Sequence, residues 1–267
     1  MLKAITFFSL LLLPIVASIN TSANASAEPS SLKTTPSPEF VIRQEITLNV
    51  LIANLHLLQL DFQNSDAREK LQESLILLDN SLKQLQTYKG DQETQELISN
   101  TKVLWPVVKK HAEWIVRLSE ARKAPNTHSL QLALVKLDRQ LLLLQQKLTI
   151  RDPYSKPSLA FLEQALLMQR LSREYLSLTL DSRQKDIVAS GQAQLQTLIN
   201  HFDQKLIRLD KQLDHYPQGA KSFRKVQITW GYIKEGMMTF PEQSIPELIA
   251  RHSNQVVSRL TSVYQLF

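Results

Sequence analysis

Arg170 and Arg173 stand three residues apart, with Gln169 beside the first and Gln164 further upstream. On a helix the two arginines occupy neighbouring positions of one face. A guanidinium presents its N–H donors in one plane, which suits a small oxyanion such as nitrate. The two glutamine amides could add further donors. Burial would strengthen such a contact but requires the charge to be paired. Glu163 and Glu174 are near enough in sequence to pair with the arginines instead, which would leave an ordinary solvated face. The first half of the chain carries a shorter counterpart, Arg43-Gln44.

Other chemistries find little support. The six histidines show no His-x-x-x-His or Glu-x-x-His spacing, so a bundle-type metal site is not expected. The chain has no cysteine, so neither covalent haem nor a disulfide can form. No nucleophile-elbow glycine pattern occurs. These absences point away from an enzyme and away from a bound cofactor or metal. Trp105, Trp114 and Trp230 read as core aromatics, and Asp61 and Asp181 as helix-end residues.

The N-terminus reads as a secretory signal. Lys3 supplies the positive charge, Ile5 to Val16 is an apolar stretch too short to span a bilayer comfortably, and Ala25-Ser26-Ala27 offers small residues for cleavage before Glu28. Residues 1–27 are therefore expected to be removed, and 28–40, rich in Pro, Ser and Thr, to act as a flexible tether. Periplasmic export without membrane insertion follows as the expected localisation. In an oxidising compartment a chain without cysteine must be held by packing alone, and the roughly 240 remaining residues suffice for one large or two smaller cores. The formal net charge of +6 is spread along the chain with no basic block, so nucleic acid is not an expected partner.

The elements that must position these residues are long helices. Only five glycines occur, and leucine recurs every three or four positions. The spacing predicts helices over 41–62, 92–121, 128–149, 158–181, 184–213, 220–238 and 245–265, with a second helix that opens at Asp66 and is broken at Gly90-Asp91. Asp66 and Glu69 resemble a capping box for the second. Pro153 and Pro157 mark the best boundary. The expectation is an all-α chain of two tandem up-down four-helix bundles, 41–150 and 158–267.

The halves also look like one unit written twice. Residues 42–61 fall on 162–181 after a shift of 120, placing Gln44 on Gln164, Leu51 on Leu171 and Leu58 on Leu178. The next helix at the same offset matches Gln72 with Gln192 and Asn80 with Asn200, and after five extra residues Trp105 meets Trp230. Such self-similarity is the mark of an internal repeat. Each tryptophan precedes a helix-weakening residue, Pro106 or Gly231, read as either a kink that shapes the bundle or a flexure beside a ligand pocket.

The stretch Gln164–Leu176, QALLMQRLSREYL, resembles the first helix of the PilJ/NarX-type periplasmic sensor domains of type IV pilus chemotaxis transducers and nitrate/nitrite sensor kinases. Gln164, Gln169-Arg170, Leu171, Arg173 and Tyr175-Leu176 carry the resemblance, and Arg43-Gln44 match a fragment of it in the first half. The position of the anion-facing arginine falls on Ala165, and Glu45 and Val50 replace the two later arginines in the first copy. The resemblance implies two degenerate sensor-like units. The candidate ligand-binding residues are Gln164, Gln169, Arg170, Arg173, Arg43 and Gln44. It implies a small anion as ligand, and a membrane receptor or another periplasmic protein as signalling partner. The competing reading is a structural or chaperone-like helical protein that binds polypeptides along an apolar groove.

Overall fold

Helices α1 (Pro38–Leu60) and α5 (Leu159–Leu180) differ from the rest in being buried nearly all the way round. In α1 every residue from Leu51 to Leu55 is buried, a run longer than one amphipathic face can supply. A helix buried on most sides must be enclosed by others, and these two sit at the centre of the protein, with Gln44, Glu45, Asn49, Gln164 and Gln169 among the side chains they bury. In the computed structural model, residues 35–117, 128–151, 158–180, 185–240 and 244–267 are described. The proposed signal segment, most of the tether, the boundary prolines and Asp181 lie outside them.

Among the described residues the protein is all-α, with no strand. The other helices are α2 (Ser65–Leu85), α3 (Gln92–Arg117), α4 (His128–Arg151), α6 (Lys185–Asp210), α7 (Pro217–Met238) and α8 (Pro246–Tyr264), with a 3-10 turn at Lys211–Leu213. The tether expected to run to residue 40 ends earlier, because Pro38 takes the first turn of α1 and the Ser37 hydroxyl accepts the Phe40 N–H at 3.2 Å. The cap of α2 is Asn64, which accepts the Ala67 N–H at 2.9 Å, rather than Asp66. Asp91 does the same for α3 through the Thr94 N–H at 2.8 Å.

In the first half, α1 packs on α2, α2 on α3, α3 on α4 and α4 back on α1. The second half closes the same circuit through α5, α6, α7 and α8. Helices α1 and α5 also pack on each other. They run in the same direction, since Ile42 clusters with Leu159, Leu162 and Leu166 while Ile52 and Leu55 share a cleft with Arg173 and Ser177. Lys33–Phe267 forms one compact unit, and a single cluster of buried apolar side chains includes members from all eight helices.

The buried positions repeat. Val41, Leu48, Leu51 and Leu58 in α1 have buried counterparts 120 residues on, at Phe161, Met168, Leu171 and Leu178. In α3 and α7 the shift is 125, pairing Ile98 with Phe223, Trp105 with Trp230, Val108 with Ile233 and Ala112 with Met237. For α2 and α6 it is 124: Leu71, Leu75, Leu78, Leu82 and Leu85 answer to Leu195, Ile199, Phe202, Leu206 and Leu209. The sequence match of Gln72 with Gln192 and Asn80 with Asn200 is thus one helical turn out of step. A slip of four residues returns a leucine to the same face, so leucine spacing alone cannot detect it.

Candidate functional site

The six candidate residues do not converge on one site. Arg43 is bound by Glu39 on its own helix, Nε to Oε1 at 3.0 Å, and its guanidinium lies 5.4 Å from the centre of the Tyr264 ring. Gln44 is buried, and neither end of its amide has a hydrogen-bond partner. Gln164 is also buried and donates to the Phe202 carbonyl of α6 at 2.9 Å. Gln169 donates to Asn254 Oδ1 of α8 at 2.7 Å. These two amides serve as ties between helices. Tyr175, in the same stretch, is fully buried, and its hydroxyl accepts the Ile245 N–H at 3.0 Å ahead of α8.

The two arginines behave differently from each other. Arg173 is almost fully engaged: Nη1 reaches Asp138 Oδ2 of α4 at 3.0 Å, and Nε and Nη2 reach Glu174 Oε1 at 3.1 and 2.8 Å. Burial alone would lower the affinity of its guanidinium for the proton, but Asp138 and Glu174 outweigh that and hold it charged. Arg170 has one ion pair among the described residues, Nη2 to Glu45 Oε1 of α1 at 3.5 Å. That is the outer limit of a hydrogen bond, so most of its donors are uncommitted.

Glu45 is the residue that pattern reading undervalued. It is completely buried on α1, its Oε2 has no partner, and burial pushes its carboxyl up to about 8 against the opposing pull of Arg170. Near neutral pH it is therefore mostly protonated, and it leaves much of the Arg170 charge uncompensated. A lone acidic residue between the apolar positions Val41-Ile42 and Leu48 was the available signal.

Two clefts follow the path of α4 beside α5. The first, of about 420 Å³, is walled by Ile52, Leu55, Leu130 and Leu134, with Arg173, Asp138 and Glu174 supplying charge. Asp138 Oδ1 there is buried and has no partner. The second, of about 470 Å³, lies between α4, α5 and α6 and brings Arg170 together with Lys205 and His201. Lys205 is held to Glu163 at 3.5 Å. Asp138, Lys205 and His201 carry no distinguishing spacing in the sequence, so only the packing brings them in.

A second polar arrangement occurs twice. Trp105 Nε1 donates to Asp79 Oδ1 at 2.9 Å, and Lys109 Nζ lies 3.0 Å from Asp79 Oδ2. In the other half, Trp230 Nε1 donates to Asp203 Oδ1 at 2.6 Å, and Lys234 Nζ lies 2.5 Å from Asp203 Oδ2. The carboxylate comes from α2 or α6, and the indole and ammonium from α3 or α7. Similarly, Arg68 of α2 donates to the Val116 carbonyl at 2.9 Å, and Gln192 of α6 to the Phe240 carbonyl at 2.8 Å. Buried indole N–H groups need an acceptor, which makes these structural ties. Trp105 and Trp230 are core aromatics as expected, but Trp114 is 48% exposed on the outer side of α3. Pro106 faces solvent on the same helix, and neither it nor Gly231 lines either cleft.

Among the described residues, no three His, Cys, Asp or Glu side chains gather where they could hold a metal ion. No described helix is long and apolar enough to cross a membrane. No protein-family model matches the chain, and no curated protein or solved structure matches it either.

Proposed function

We propose that the chain is a sensor-like binding module of two related four-helix units, exported to the periplasm by a cleaved signal peptide. It binds a small ligand beside the central α1–α5 pair and passes the bound state to a membrane receptor or another periplasmic protein. The observation that carries this reading is the placement of Arg170 and Arg173. Both arginines of the sensor-like stretch line clefts of a size that suits a small molecule. The repeated Trp–Asp–Lys arrangement supports a common origin for the two units, because it depends on three residue types that apolar packing does not demand. The pairing of Arg173 with Asp138 and Glu174 disfavours a free oxyanion at that position, which leaves Arg170 as the stronger anion contact. A thermal-shift screen with small anions, amines and zwitterions tests the reading. A ligand that raises the melting temperature in a concentration-dependent way is expected, and no shift with any class would defeat it.

One observation favours a second reading, that of a protein that binds other polypeptides. Val103 and Val107 on α3 are exposed, and so are Ile228 and Tyr232 at the positions 125 residues later on α7. An apolar pair kept exposed in both halves suits contact with another chain. Suppression of aggregation of an unfolded test protein, lost on Val103→Lys with Ile228→Lys, would favour it.

A further inference from the structure

Arg170 is three-quarters covered yet has a single ion pair among the described residues, at 3.5 Å. A guanidinium carries five N–H donors, and a covered one is expected to use them. The cleft it lines holds Lys205 of α6, whose contact with Glu163 is equally long, and the exposed His201. Its other lining includes Leu142 and Leu166 as apolar wall and Gln145 as a polar group. Cationic groups at one place and aliphatic groups around it match an anion with a short apolar tail.

We propose that the cleft between α4, α5 and α6 binds a small carboxylate, its anionic end on Arg170 and Lys205 and its aliphatic end against Leu142 and Leu166. This deepens the sensor-like reading and rests on it. Planar carboxylate oxygens match the fork of the guanidinium, whereas the ammonium acts as a point charge. Glu163 competes with the ligand for Lys205.

Glu45 adds a coupling. The groups that face it are Arg170 and Arg173 from α5 and Asp138 from α4. While Glu45 is protonated, the positive charge of Arg170 is available to the cleft. Once it ionises, an anion already sits against the guanidinium, and a ligand in the cleft must compete with it.

Isothermal titration of the full chain with hexanoate, butyrate and nitrate tests the proposal. The wild type should bind hexanoate more tightly than butyrate, and both more tightly than nitrate. Arg170→Gln should weaken hexanoate at least tenfold, as expected for loss of a charge-assisted contact. Glu163→Gln should strengthen it by freeing Lys205, an effect that a purely structural role would not produce. Arg224→Gln, which removes an exposed cation of α7 outside both clefts, should leave it within about twofold. Binding of the wild type should fall above pH 8, and that of Glu45→Gln should not. Circular dichroism melting of each variant separates loss of fold from loss of site. Hexanoate binding unchanged in folded Arg170→Gln, or no carboxylate binding by the wild type, overturns the proposal. If another ligand class still shifts the melting temperature in that case, the sensor-like reading survives; if none does, both fail.

Discussion

The indole N–H of Trp105 meets the Asp79 carboxylate at 2.9 Å, tying α3 to α2 across the first half of the chain. Trp230 and Asp203 make the same tie between α7 and α6 at 2.6 Å. The positions differ by 125 for the indole and 124 for the acid, so the tie also records the relative register of the two halves. A buried donor that loses its acceptor carries the full cost of desolvation. Asp203→Ala and Asp79→Ala should therefore each destabilise the fold by about 1–3 kcal/mol, and the matched Trp→Phe change in the same background should recover part of the loss. Urea denaturation of single and double variants measures this. Equal and additive losses would show that the contact contributes nothing.

Asp79 also sets an acid limb. Hydrogen bonds from Lys83 first, then from Trp105 and Lys109, hold its carboxyl well below the usual range. A folded-state value below the unfolded one means that the contribution is complete above the unfolded pKa. It is lost as pH falls through the unfolded value toward the folded one. Wild-type stability should thus decline below about pH 4 more steeply than that of Asp79→Asn. Parallel slopes in urea melts between pH 2 and 5 would contradict this.

Much of the helical layout was legible because leucine periodicity and proline breaks are local signals. The central role of α1 and α5 is less plain in the sequence, because both helices carry polar and charged residues, such as Glu45 and Gln164, that the packing nevertheless encloses. What remained hidden has a physical cause. The four-residue slip of α2 against α6 preserves the apolar face and so leaves no trace in a leucine pattern. The Arg170–Glu45 and Arg173–Asp138 pairs join residues 125 and 35 positions apart, and no local pattern specifies them. Gln164 and Gln169 have the residue types of a ligand site, but an amide with donors and an acceptor serves equally well to tie one helix to the next.

The clamp formed by Arg173 should be cooperative. Its guanidinium bridges Asp138 on α4 and Glu174 on its own helix, and the flanking carboxylates would repel each other without it. Arg173→Met should cost roughly 2–4 kcal/mol by leaving poorly solvated carboxylates unpaired. Adding Asp138→Leu should cost much less than the sum of the single changes, with a coupling of about 1–3 kcal/mol. A double-mutant cycle read by urea melts decides it, and a coupling near zero would mean that the pair is ornamental to stability.

Gly231 follows Trp230 in the interior of α7, and a methyl group added there would meet no atom within 4 Å. The glycine is needed neither for close approach nor for an unusual backbone angle. Gly231→Ala should therefore stabilise the fold by up to about 1 kcal/mol through helix propensity. Thermal melting measures it. A loss of stability would instead reveal that the backbone at Gly231 has to flex, which would revive the idea of a hinge beside Trp230.

Glu45 yields the most distinctive pH dependence. Its carboxyl, ordinarily near 4.5, is raised to about 8 by burial, with Arg170 opposing the shift. The folded state therefore holds this proton at pH values where the unfolded chain has released it. Stability from this group is fully present below the unfolded value and declines as pH rises toward about 8. The slope approaches about 1.4 kcal/mol per pH unit, and it flattens once the folded carboxyl has ionised. In Glu45→Gln the side chain stays neutral and nearly isosteric, so this slope disappears and the variant should be the more stable protein at pH 9. Subtracting the two urea-melt profiles between pH 5 and 9 removes the contribution of histidines and other groups common to both. A flat difference would mean that Glu45 is ionised and firmly paired with Arg170 throughout. In that case neither the pH-dependent loss of stability nor the coupling to the Arg170 cleft would hold.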